Sequence, residues 1–299
     1  MGVLVAGTGA LACLFSARLA SVGNDVTMLG SWAEGLAALR QHGVHLLDLD
    51  GSSKCYPVHV VEGAKSRGDF TQALVLVKSW QTERVARQVE RCLAESGLAL
   101  TLQNGLGNYE ILSETLKAGR VALGVTTVGA RMLEPGNVQF TGKGKVSLGP
   151  HPNIGGLAEL LCEAGFSVEM VSDPMSLLWG KLVINAAINP LTALLRVKNG
   201  ELLERPGAHA LLADAAREAA TVAASQGVTL PYPDPVAAVE EVARNTASNL
   251  SSMLQDVQRG AMTEIEAING AIVRIGERSG VPTRVNRMLW QLVNSLDHQ

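Results

Sequence analysis

Six residues near the start of the chain constrain its fold more than any others. Gly7-Thr8-Gly9-Ala10-Leu11-Ala12 follows a short apolar run, Gly2 to Ala6, and opens a helical pattern that reaches Val22 with Gly23 as its stop. In that setting the pattern G-x-G-x-x-A has a physical meaning. The first glycine makes a tight turn, the second lets a pyrophosphate approach the backbone, and the third position needs a small residue where helix packs on strand. The helix N-terminus then offers N–H groups and a positive dipole end to phosphates. Gly7, Thr8, Gly9, Ala10, Leu11 and Ala12 are therefore candidate cofactor-binding residues. The alternative is an ordinary glycine turn, against which the flanking strand and helix argue.

Asp25 to Leu29 reads as the next strand. In a Rossmann-like fold its tip, about 20 residues past the fingerprint, selects the cofactor: an acid binds the ribose diol of NAD, a basic residue suits NADP. The residues there are Gly30-Ser31-Trp32-Ala33-Glu34, with neither sign at the tip itself. Ser31 is a candidate donor to a 2′-phosphate, and Arg40 is the nearest cation along the chain. These residues leave the choice open.

Val44 to Val61 looks like a hairpin added antiparallel to the sheet. Ala73 to Val77 is a buried strand ending in Lys78, a helix runs from Gln81 to about Glu95, and Leu98 to Leu102 is a strand ending in Gln103-Asn104-Gly105. Ligands of open α/β sheets sit beyond the carboxyl ends of the strands, where Lys78 and Asn104 fall. Each is otherwise an ordinary loop residue capping a strand. Val121 to Val128 is one more strand, Val138–Phe140 is expected to pair with Val146–Leu148, and Gly155 to Val171 adds a helix and a strand. The expected architecture is α/β: a Rossmann-like dinucleotide-binding domain over 1–172, then an all-helical domain over 173–299.

The second domain opens with Asp173-Pro174, an N-cap carboxylate and a proline at the first helical position. The helix that follows is apolar on nearly every side, yet it carries Lys181, Asn185 and Asn189 at spacings of four, with Thr192 extending them. Residues so spaced share one narrow stripe. A lysine and two amides in a buried helix are costly unless something polar faces them. Either another part of the protein satisfies them, or they line a cleft for a polar ligand. Further helices are expected at about 207–226, 235–256, 264–279 and 284–295. Thr263-x-x-Glu266 reads as a capping box, which puts Glu264 at a helix start, and Ser252 and Asp256 share a helix face.

Composition narrows the function classes. The chain of 299 residues is 47% hydrophobic with a formal charge of -3, and its aromatic content of 4% with no basic run argues against nucleic-acid binding. Cys13, Cys55, Cys92 and Cys162 are scattered without a CxxC, which points to buried thiols in a reducing compartment and to no metal framework. His42 and His45 lack the partners of a metal site. The N-terminus lacks the basic start of a signal peptide, no apolar run looks long enough to span a bilayer, and a cytoplasmic enzyme without a membrane partner is expected.

Taken together, GTGALA at the start, VKSWQT at Lys78, LQNGLG at Asn104, WGKLVINAAINPLTAL at Lys181, KNGEL at Asn199 and SSMLQD with TEIEAING near the C-terminus are far more specific than a fingerprint alone. The chain resembles the ketopantoate reductase family along almost its whole length. The resemblance implies an N-terminal domain that binds NADPH and a helical domain that closes over the substrate. It implies NADPH-dependent reduction of ketopantoate to pantoate, a step of pantothenate biosynthesis, with Lys181 as proton donor and Glu264 as a substrate-binding acid. It implies that Asn104, Asn185, Asn189, Asn199 and Ser252 contact substrate or nicotinamide, and that Lys78 contacts the cofactor. Ala12 replaces the usual third glycine, and Ser31 stands where the family commonly has arginine, which leaves NADH as the rival cofactor. The favoured reading is reduction of a 2-oxo acid. The rivals are a reductase of a different 2-oxo acid on the same scaffold and a non-catalytic, cofactor-binding redox sensor. The apolar C-terminal helices suggest a homodimer.

Overall fold

The computed structural model describes residues 2–63 and 70–296. They form two compact units, one of Met1–Gln103 with Asn108–Pro174, the other of Asn104–Gly107 with Met175–Gln299. The first unit runs β1 (Gly2–Ala6), α1 (Ala10–Ser21), β2 (Asp25–Leu29), α2 (Ala33–His42), β3 (Val44–Leu47), β4 (Ser53–Tyr56), β5 (His59–Val61) and β6 (Phe70–Val75). It continues with α3 (Thr82–Cys92), β7 (Leu93–Thr101), α4 (Asn108–Leu116), β8 (Val121–Thr126), β9 (Gly129–Glu134), β10 (Asn137–Gly142), β11 (Lys145–Leu148), α5 (Gly155–Glu163) and β12 (Ser167–Met170).

The main sheet has the order β12-β11-β8-β7-β6-β1-β2-β5 and is parallel except where β11 meets β8. From β1 the chain builds outward to β2 on one side and β6 on the other. That reversal makes a switch point, and the carboxyl ends of β1 and β6 border the crevice it creates. Val3–Ala6 and Ala73–Val75 are buried on both faces, as parallel strands covered by helices must be.

A second sheet, β4-β3-β10-β9, packs on α1. So α1 is enclosed, and Ala12 to Ala17, all apolar but Ser16, are buried together with Leu19. Phe15 stacks on Phe166 with ring centroids 4.2 Å apart.

The sheet assignments correct two expectations. The hairpin forms, with Val44 opposite Tyr56, but it belongs to the second sheet, and only β5 joins the main one, parallel to β2. Val138–Phe140 and Val146–Leu148 do not pair. Thr127 captures Lys145 instead, through bonds of 3.0 Å to its carbonyl and 2.9 Å from its N–H, and β11 goes to β8. Short alternating runs define which residues face inward, not which strand they join. The thiols are also divided: Cys13 and Cys92 are buried, whereas Cys55 on the hairpin and Cys162 on α5 are exposed. Burial pushes the Cys13 thiol up to about 12, which makes it inert.

The second unit holds α6 (Pro174–Leu195), α7 (Glu201–Glu204), α8 (Pro206–Ser225), α9 (Pro235–Asn245), α10 (Ser252–Gln258), a π-helical turn (Glu266–Gly270), α11 (Ala271–Ser279) and α12 (Arg284–Asn294). The helix expected over 235–256 is thus two helices, separated by a stretch rich in Asn, Thr and Ser. Contrary to expectation, α6 is long and apolar enough by composition to cross a bilayer, but 72% of that window is buried in the protein.

Pro190 sits inside α6 and has no N–H to give to the carbonyl of Ala186 four residues back. Asn269 Nδ2, in the π turn, donates to that carbonyl at 3.0 Å and to Asn286 Oδ1 at 3.0 Å. The gap in α6 therefore becomes the anchor of the π turn. The capping box is not closed as expected. Thr263 Oγ1 accepts from Ile265 N at 3.4 Å, while Glu266 turns away to accept from Trp290, Asn294 and Arg274.

Candidate active site

In the first unit the fingerprint turn is shaped for close backbone approach. Gly7 has φ +135°, and a Cβ there would lie 3.0 Å from the Leu76 carbonyl oxygen and 3.1 Å from Ala12 Cβ. Only a small residue at position 12 leaves this room. Gly9, the N-cap of α1, is exposed, faces open space where a Cβ would stand, and is followed by no acid in the first turn. No side chain caps that helix start. Unspent N–H groups, a positive helix end and open space fit a pyrophosphate, so the residues Gly7 to Ala12 suit a dinucleotide.

Beyond the β2 tip, a Cβ on Gly30 would lie 2.5 Å from Thr8 Cγ2, so the tip is pressed against the fingerprint turn. Ser31 is exposed there, and its Oγ accepts from Arg84 Nη2 at 2.9 Å. The cation that reaches Ser31 is thus Arg84 of α3, not Arg40, which is paired with Glu62 at 2.9 Å. Lys78 follows β6 as the N-cap of a short 3-10 turn, Ser79–Gln81. Gln103 steadies this edge: its Nε2 donates to the Val77 carbonyl at 3.0 Å and to Thr82 Oγ1 at 2.8 Å, and Thr82 in turn donates to Asn108 Oδ1 at 2.8 Å.

The second unit gathers three of the expected residues. Glu264 is buried at 6% exposure, and Asn104 Nδ2 donates to its Oε2 at 3.3 Å. Lys181 interacts electrostatically with the same carboxylate. Lys181 as a whole is only half-buried, but its ammonium end is desolvated, which pulls its pKa from 10.5 to about 8, with Glu264 opposing the fall. The loop of Asn104 is held by the π turn: Leu106 N donates to the Ala267 carbonyl at 2.9 Å, and Gly105, at φ +80°, lies so close that a Cβ would be 2.6 Å from that oxygen. Two N–H groups, of Ala267 and Ile268, bond the Glu264 carbonyl at 3.1 Å each.

Further along the stripe, Asn185 is half-buried and Asn189 is 6% exposed. Neither side-chain amide hydrogen-bonds another described residue. Thr192 is different. Its hydroxyl donates to Ser251 Oγ at 2.7 Å, and Ser251 caps α10 by accepting from Leu254 N at 3.1 Å. The next residue, Ser252, is exposed at the start of α10, while Asp256 is buried against Arg259 at 2.8 Å, so the two do not share a surface. Asn199 is buried, with Nδ2 donating to Thr246 Oγ1 at 2.9 Å and its N–H to the Asn249 carbonyl at 3.1 Å. Among the described residues, no hydrogen bond joins Ser252 or Asn199 to the Lys181–Glu264–Asn104 group. Sequence reading missed Arg84, Gln103 and Asn269. Each acts across the fold, and none had a local signal.

Comparison with known proteins now decides the family. The model described as "Ketopantoate reductase PanE/ApbA" matches residues 3–153, and "Ketopantoate reductase PanE/ApbA C terminal" matches residues 173–297. The chain belongs to the ketopantoate reductase family. Like its family, it is an oxidoreductase with a Rossmann-like domain and a helical C-terminal region. A 2-dehydropantoate 2-reductase of Archaeoglobus fulgidus is 39% identical over 99% of this chain and 97% of its own. The crystal structure of a PanE/ApbA family ketopantoate reductase from Ralstonia eutropha superposes with a TM-score of 0.91 at 32% identity, covering 99% of this chain and 98% of that one. A D-mandelate dehydrogenase solved with NADH and anilino(oxo)acetate superposes with a TM-score of 0.93 at 27% identity, over 99% and 98% of the two chains.

Proposed function

We propose that this ketopantoate reductase family member reduces 2-dehydropantoate to pantoate, with NADPH as the preferred reductant over NADH. The observation that carries the reading is a buried carboxylate, Glu264, held by Asn104 and facing the Lys181 ammonium. A bound reduced nicotinamide supplies a hydride to the ketone carbon. Lys181 does the rest at the oxygen: its ammonium stabilises the charge that develops there and then donates the proton that completes the alcohol. Glu264 accepts a hydrogen bond from the substrate's own hydroxyl. Asn185 and Asn189 hold its other oxygens from the same stripe. Ser252 donates to its carboxylate, and Asn199 sets the loop that leads to Ser252 through its bonds to Thr246 and Asn249. Gly7 to Ala12 hold the pyrophosphate, Lys78 and Ser31 contact the cofactor, and Asn104 contributes to both ligands. The NADPH preference is supported by the lack of a carboxylate from Leu29 to Ala33.

The test is ketopantoate-dependent oxidation of NADPH by the purified protein, followed by absorbance. Turnover with ketopantoate is expected; binding of NADPH without turnover of any 2-oxo acid would return the protein to the redox-sensor reading. A different 2-oxo acid as substrate is the reading favoured by the likeness to D-mandelate dehydrogenase. Cytoplasmic placement suits the two exposed free thiols, Cys55 and Cys162. A homodimer is supported by an apolar groove on the helical unit, with Leu195, Leu211, Met288 and Leu292 exposed along it. A monomer by light scattering would remove that assignment.

A further inference from the structure

The tip of β2 carries serine where the resemblance places arginine, and the structure brings an arginine there from another element. Arg84 stands in the first turn of α3, whose start is held rigid by the bonds of Thr82 to Gln103 and Asn108. Its Nη2 donates to Ser31 Oγ at 2.9 Å, and its Nη1 lies 3.5 Å from Gln88 Oε1. Three other arginines of the first unit are neutralised: Arg18 by Asp48, Arg40 by Glu62, and Arg87 by Glu83. Among the described residues Arg84 makes no ion pair. Glu34, the carboxylate closest to Ser31 in sequence, is engaged by Trp32 Nε1 at 3.3 Å. Because Gly30 lets the tip press on Thr8, this guanidinium and hydroxyl sit beside the phosphate-binding turn.

We propose that Arg84 and Ser31 form the adenosine 2′-phosphate clamp of this chain, with α3 supplying the charge that β2 lacks. The proposal rests on the reading of the chain as a nicotinamide-dependent reductase. A guanidinium satisfied only by neutral oxygens keeps its full charge and several N–H groups for a phosphate dianion. Ser31 Oγ accepts from Arg84, which leaves its own proton to donate to the same phosphate. Both residues are exposed, so the clamp closes on a ligand without unpacking the core.

Isothermal titration of the wild type, Arg84→Ala and Arg84→Lys with NADPH, NADH, adenosine 2′,5′-bisphosphate and AMP tests this. Arg84→Ala is expected to weaken NADPH and the bisphosphate by about ten- to a hundredfold, and to leave NADH and AMP within about twofold. Arg84→Lys is expected to fall between, since it keeps the charge but not the fork. Unchanged NADH affinity also shows that the variant is folded. An unchanged NADPH affinity in Arg84→Ala, or equal losses for NADPH and NADH, overturns the clamp while the reductase reading stands. A wild type that binds neither dinucleotide overturns both.

Discussion

The proposed mechanism needs Lys181 to keep a proton at neutral pH, and its surroundings work against that. Desolvation pulls its pKa to about 8, and Glu264 limits the fall. At pH 7 a group with that pKa is still roughly nine-tenths protonated. The direction of the pH effect follows. The ammonium is present below about 8 and lost as pH rises through that value. Reduction that draws its proton from Lys181 is therefore expected to decline above pH 8, and kcat measured across that range checks it. Lys181→Ala is expected to lower kcat by about 10²–10⁴-fold, with NADPH affinity close to native. If Lys181 were instead a structural partner of Glu264, its removal would cost about 3–5 kcal/mol of stability and spare kcat. Thermal melting and turnover of the same variant separate the two, and a folded protein with near-native kcat would remove Lys181 from the mechanism.

At the scale of elements, the π turn is what gives Glu264 and Asn104 their common place. Asn269 ties the turn to the carbonyl that Pro190 leaves open in α6, and Ala267 offers its own carbonyl to the loop of Asn104. Gly105→Ala tests this linkage. At φ +80° a side chain is strained, and its Cβ would stand 2.6 Å from the Ala267 oxygen, a backbone atom that cannot move aside cheaply. The expected cost is about 1–3 kcal/mol, read as a lower Tm, with a raised KM for ketopantoate as the loop lifts Asn104 from Glu264. A variant with native KM would show that the loop's position is not set by this contact. Such linkages mark the limit of what the sequence shows. The fingerprint strand and helix, the α6 stripe and the start at Pro174 were legible because periodicity and caps are local. The partners of β3, β10 and β11 were not, because register chooses a face and leaves the neighbour to tertiary packing. Thr263-x-x-Glu266 satisfied a local rule, yet Trp290, Asn294 and Arg274 claimed the glutamate from 8 to 28 residues away. Arg84 meets Ser31 across 53 positions, beyond any motif.

At the scale of the whole molecule, shape does not choose the substrate. The chain superposes as well on a D-mandelate dehydrogenase, at a TM-score of 0.93, as on a ketopantoate reductase, at 0.91. One architecture therefore carries both chemistries, and the discriminating information lies in single side chains. Glu264 is the side chain to follow. It is buried, and a 2-oxo acid with a hydroxyl gives its carboxylate a donor, whereas the phenyl ring of phenylglyoxylate would cover it and give nothing. Sites built around a substrate hydroxyl reject analogues that lack it by large factors, so kcat/KM for ketopantoate is expected to exceed that for phenylglyoxylate by at least about 10²-fold. Glu264→Ala is expected to lower turnover of both acids, because the Lys181 pKa falls further without it, and to cut ketopantoate turnover by about ten- to a hundredfold more than phenylglyoxylate, which narrows the ratio between them. Equal losses for both acids would make Glu264 a general electrostatic support for Lys181. A native preference for phenylglyoxylate would place the chain with the second chemistry, while its fold, its fingerprint turn and the proton on Lys181 would all read the same.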